Sequence, residues 1–100
     1  MTETLTITEL LSSRDNFNSA IDLAAEGSEV HIVINGRGNQ PIAKIIPDGG
    51  ERTKTAQWNV DDQSLNHQLA FKMAVDNSDV IGFRTAQDKR DVLIIPRNIF

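Results

Sequence analysis

The chain contains no cysteine. That excludes a disulfide framework and any cysteine-based zinc site, and it fits a reducing compartment. Met1–Ile7 lacks a basic start and a long apolar run, so no signal peptide is expected. No stretch approaches the roughly 20 apolar residues of a membrane span, which leaves a cytoplasmic protein as the expectation. A basic surplus is missing too: the net charge is −4. Residues 1–47 set only Arg14, Arg37 and Lys44 against Glu3, Glu9, Asp15, Asp22, Glu26 and Glu29. Neither half carries the cationic excess of a strong nucleic-acid binder, so any DNA contact must rest on a few positioned cations.

Catalytic and cofactor signatures are equally scarce. His31 and His67 are not at a metal-ligand spacing, and Gly36-Arg37-Gly38 has neither the GxGxxG nor the Walker spacing. Asp61-Asp62 reads as a helix cap rather than a carboxylate pair. No nucleophile–base constellation assembles around the serines. The expectation is a non-enzymatic protein without a cofactor. At 100 residues the chain suffices for one small domain, or for a compact module with an attached segment.

Periodicity supplies the architecture. Leu5-Thr6-Ile7 reads as a short strand because β-branched residues favour it. Thr8 is placed to cap a helix over Glu9–Glu26, with Leu10, Phe17, Ile21 and Ala24 on one stripe and Gly27 as its stop. Glu29–Ile34 and Pro41–Ile46 alternate as two strands of a hairpin, joined by the Gly- and Asn-rich turn Asn35–Gln40. Both faces of that hairpin are apolar. One covers the helix; Val33, Ile42 and Ile46 on the other call for a second copy of the chain, a homodimer. Pro47 to about Trp58 is polar and turn-forming, a linker over residues 48–58. Asp61 or Asp62 then caps a second helix to about Val75, with Leu65, Leu69 and Met73 on one side and Phe71 and Val75 on another. Val80–Arg84 and Val92–Ile95 read as a second short hairpin, the latter buried on both faces. No repeat at a fixed period is visible.

The ordered series Ser13-Arg14-Asp15-Asn16-Phe17, Ala24-Ala25-Glu26-Gly27, Glu29–Ile34, a Gly-bearing turn and Pro41-Ile42-Ala43-Lys44-Ile45-Ile46-Pro47 resembles the Phd/YefM, or prevent-host-death, antitoxin family over about residues 5–47. The resemblance implies an α+β fold: a β-α-β-β module that dimerises by its sheet over residues 1–47, a linker, and a toxin-neutralising segment over residues 59–100. It implies operator DNA contacts from Arg14 at the helix start and from Asn35, Arg37 and Asn39 on the turn, with repression of its own operon. It implies a cognate toxin of RelE/YoeB-like, Doc-like or PIN-domain type. Trp58, Leu65, Leu69, Phe71 and Met73 are the partner-contact candidates, as exposed apolar side chains are common anchors. The C-terminal half, with a helix and two strands, departs from the family's usual tail. A stand-alone transcription regulator or phage- or plasmid-type accessory protein, and an interaction subunit with no DNA role, are the alternatives.

Overall fold

The computed structural model describes residues 2–34, 40–50, 52–86 and 88–99. Strand β1 (Thr2–Thr6) leads into two short helices, α1 (Ile7–Leu11) and α2 (Arg14–Ala25), then β2 (Glu29–Val33) and β3 (Pro41–Pro47). After a connection come β4 (Ala56–Asn59), α3 (His67–Asn77), β5 (Ile81–Arg84), β6 (Asp91–Pro96) and a closing 3₁₀ turn at Arg97–Ile99. These strands join one mixed sheet in the order β1-β2-β3-β6-β5-β4. This is an α+β fold, as expected.

The single helix expected over Glu9–Glu26 is two helices. Thr6, not Thr8, caps the first: its hydroxyl accepts from the Glu9 N–H at 3.1 Å, while the Glu9 carboxylate accepts from the Thr6 N–H at 3.0 Å. This reciprocal box satisfies two donors that a helix start otherwise leaves unpaired. Ser13 then caps α2 by accepting from the Asn16 N–H at 3.1 Å. Because two good caps lie within a few residues of each other, the chain breaks between them. α3 also starts later than expected. The Asp62 carboxylate is taken up by Ser64, whose N–H and hydroxyl donate to it at 2.9 and 2.7 Å. Asn66 is the cap instead, accepting from the Gln68 and Leu69 N–H groups.

The topology repeats itself. β1 and β2 are parallel neighbours joined by a helical crossover, and β2 pairs antiparallel with β3. β4 and β5 are likewise parallel across α3, and β5 pairs antiparallel with β6. Val30 faces Ile45 as Ile81 faces Ile94. The two β-α-β-β units meet where β3 runs antiparallel to β6, in the register Lys44–Ile95, Ile45–Ile94, Ile46–Leu93. That register is symmetric about the Ile45–Ile94 pair, so the halves are related by a pseudo-two-fold there. The caps repeat as well: Gly27 (φ 110°) follows α2 and Ser78 (φ 57°) follows α3, both left-handed turns that end a helix. The halves share residues as well as burial, Ile45-Ile46-Pro47 matching Ile94-Ile95-Pro96, but the offset between matching positions changes along the chain, so no repeat shows at a fixed period. Ala20, Ile21 and Ala24 on α2 are buried at the same spacing as Ala70, Phe71 and Ala74 on α3.

The helices lie on one face of the sheet. Beneath them Leu10, Phe17, Ile21, Val30, Ile32, Ile45, Phe71, Ile81, Phe83 and Ile94 are essentially inaccessible. Each such side chain contributes roughly 1.5–3 kcal/mol. Phe83 joins the halves: its ring meets Phe17 edge-on at 5.2 Å and tilts against Trp58 at 5.8 Å. Phe17 in turn stacks on His67 at 5.4 Å, so the starts of α2 and α3 touch.

Val33, Ile42 and Ile46, expected at a homodimer interface, have neighbours within the chain. The free edge of β3 is taken by β6 of the same chain. Ile46 packs with Val80, Leu93, Ile95 and Ile99 on the face opposite the helices, Ile42 packs against the main core, and Val33 is 8% exposed. The C-terminal half covers part of the surface that was expected to meet a second copy. The linker is also shorter than expected, since Trp58 belongs to β4. Residues 48–50 and 52–55 lie on the face away from the helices, between the centre of the sheet and its far edge. The Asp48 N–H donates to the Asp91 carbonyl at 2.9 Å and the Thr55 N–H to the Val80 carbonyl at 2.8 Å. The Lys54 stem runs over Gly82, where an added Cβ would lie 2.6 Å from Lys54 Cδ. Its Nζ reaches Asp48 at 2.8 Å, a carboxylate whose side chain is only 5% exposed.

Candidate partner-binding groove

α3 is apolar on two sides, and the sides have different fates. Ala70, Phe71 and Ala74 turn onto the sheet and are buried. Leu69 is 62% exposed. Beside it Leu65 and Met73 are half-buried, and so is Trp58 on strand β4. Trp58, Leu65, Leu69 and Met73 line one shallow hollow between α3 and the open edge of the sheet. A second hollow continues it along Leu69, Lys72, Met73, Asp76 and Asn77. Four of the five expected partner contacts are therefore together on one surface. Phe71 is not among them: at 1% exposed, it belongs to the core.

The N-terminal half provides an internal control. The equivalent hollow there is lined by Leu5, Thr8, Glu9, Ser12, Asn16, Ser19, Ala20 and Leu23. Leu5 sits opposite Ile32 as Trp58 sits opposite Phe83. Ser19 precedes Ala20 and Ile21 as Leu69 precedes Ala70 and Phe71. The fold thus tolerates a serine at this place, and the exposed leucine is not a packing requirement.

Sequence reasoning misses the rim. Asp61 and Asp62 follow β4, and Asp76 lies near the end of α3. The parallel crossover runs α3 back along β4, so Asp62 and Asp76 line the groove towards its two ends. Asp62 holds its proton less tightly than an ordinary aspartate, because the Ser64 hydroxyl and N–H donate to its charged form. The alternation Ala56-Gln57-Trp58-Asn59 is the one local signal for β4, and the polar, turn-forming residues before it mask that signal.

Arg14 is turned inward. Its guanidinium donates to the Asp62 carbonyl at 3.2 Å and to the Leu65 carbonyl, tying the start of α2 to the segment before α3. Gln68 reinforces the tie by donating to the Leu11 carbonyl at 3.2 Å. Arg90 donates to the Ala25 carbonyl at the end of α2, and Arg84 pairs with Asp91 at 2.8 Å. Arg97 donates to the Gln40 side chain. These cations are committed to the protein's own acceptors. Asn35, Arg37 and Asn39 lie outside the described residues.

Among the described residues no group of three or more His, Asp or Glu side chains could hold a metal ion. None of their helices is long and apolar enough to cross a membrane. Comparison with known proteins finds no matching family, no similar curated protein and no similar solved structure.

Proposed function

We propose that the protein acts by stoichiometric protein binding, as a cytoplasmic antitoxin of the Phd/YefM kind whose paired modules lie in one chain. The groove between α3 and β4 takes a surface of the cognate toxin, a RelE/YoeB-like or PIN-domain nuclease or a Doc-like kinase. The observation that carries the reading is Leu69, 62% exposed beside Trp58, Leu65 and Met73, where the other half of the fold has Ser19. Exposed apolar side chains clustered around a tryptophan are the usual core of a protein interface. The resemblance over residues 5–47 supplies the class of partner. A β-α-β-β unit paired through its last strand fits the expectation of a sheet-mediated module pair, with the second unit donated by residues 56–96.

The test is co-expression with the product of the adjacent reading frame, followed by size-exclusion chromatography. A stable complex with the parent chain and none with Leu69→Lys supports the reading. Absence of any complex with the parent overturns it. Operator binding is the second part of the proposal and rests on the sequence expectation for Asn35-Gly36-Arg37-Gly38-Asn39, where the amides of a Gly-rich turn and a guanidinium would suit a phosphate. A gel shift on upstream DNA that weakens with salt and is lost in Arg37→Ala is expected. A shift that survives that change removes the turn from the account.

A further inference from the structure

We infer that the partner binds by adding a strand to β4, using an extended segment with an apolar middle and a Lys or Arg at each end. This rests on the protein-binding reading above and specifies how recognition works. β4 has β5 on one side and ends the sheet on the other. Its outer backbone groups are a ready template for an incoming strand. Trp58 on β4 and Leu69 and Met73 on α3 line the hollow beside that edge. A strand laid against β4 would place every second side chain on them, as the period of two requires. α3 is 11 residues long, a span of about 16 Å, which about five extended residues cover.

Charge decides the occupant. Asp62 lines the groove before the start of α3, and Asp76 lines it near the other end, beside the negative end of the α3 dipole. Among the described residues Lys72 is the one cation on its lining. A second copy would bring these carboxylates against themselves, whereas a segment with cationic ends meets an opposite charge at both. The β1 edge is the contrasting case. It too ends the sheet, and Leu5, Ala20 and Leu23 line the hollow beside it together with Thr8, Glu9, Ser12, Asn16 and Ser19. What singles out β4 is Leu69, 62% exposed where the other half has Ser19, with carboxylates near both ends of the groove.

The probe is a nine-residue synthetic peptide, alternating Val and Thr with Lys at both ends. Trp58 is the sole tryptophan, so its fluorescence reports occupancy directly. Saturable binding is expected to the full chain, at least tenfold weaker for the same peptide ended in Glu, and lost when alternate backbone amides are N-methylated. Leu69→Lys should abolish it, and Ser19→Lys, at the equivalent place in the other half, should leave it unchanged. Hydrogen exchange at residues 56–59 should slow in the complex. No saturable binding by the Lys-ended peptide, or binding indifferent to N-methylation or to end charge, overturns strand addition. Those results leave a complex with the adjacent gene's product standing. Loss of that complex refutes the protein-binding reading whatever the peptides do.

Discussion

Replacing Arg14 with alanine separates a structural arginine from a DNA-contacting one. In the structure its guanidinium donates to two carbonyls far along the chain, those of Asp62 and Leu65. Hydrogen bonds from charged donors contribute about 1.5–3 kcal/mol when shielded from water and little when exposed. The Asp62 carbonyl is solvent-accessible, so its bond adds little. The Leu65 bond is partly buried, and its loss strands an acceptor in the interface between the halves. The expected destabilisation is therefore about 2 kcal/mol. For a domain of this length that lowers Tm by roughly 10 °C. Thermal unfolding followed by circular dichroism, with urea titration for the free energy, measures it. Arg14→Lys keeps the charge but not the planar fork, so it should fall between the parent and Arg14→Ala. A Tm within about 2 °C of the parent refutes the reasoning. If a gel shift on upstream DNA vanished at the same time, Arg14 would return to the role that the family resemblance implied.

Gly82→Ala should cost about 1–2 kcal/mol, because the new methyl displaces Lys54 from its seat between Asp48 and Gln57. The cost should shrink when Lys54→Ala is already present, and strictly additive effects in the double-mutant cycle would refute the clash. Acid should weaken the fold through Asp48 and Asp91. Lys54 holds the first below the ordinary carboxylate range and Arg84 holds the second there. A depressed folded value means the contribution is complete above the unfolded value near pH 4 and is lost as pH falls through the lower, folded one. Asp48→Asn and Asp91→Asn should each flatten the acid limb of stability against pH; a limb that keeps its slope in both variants refutes this. A fragment of residues 1–50 should sediment as a dimer, with β3 pairing to β3 of its twin and Ile45 opposite Ile45 as Ile94 is now. A folded monomeric fragment would contradict the pseudo-two-fold.

Local chemistry is legible in the chain itself. Leu10, Phe17, Ile21 and Ala24 recur at helical spacing and are all buried. Val92-Leu93-Ile94-Ile95 reads as a strand hidden on both faces and is one, at the centre of the sheet. Glu29–Val33 and Pro41–Pro47 alternate and pair as neighbours. These follow from side-chain period and turn residues, which act over a few positions. Tertiary structure alone decided that β3 pairs with β6, that Arg14 reaches the Leu65 carbonyl, and that Leu69 faces solvent while Phe71 does not. An edge strand's backbone can pair with any other edge that fits. Which one it meets depends on crossovers of dozens of residues and on which greasy faces close together, and no window of local pattern contains that. The repeated unit escapes a fixed-period reading because its matching residues, Ala20 and Ala70, Ile45-Ile46-Pro47 and Ile94-Ile95-Pro96, lie at unequal offsets, and only the paired strands put Ile45 and Ile94 on a common axis.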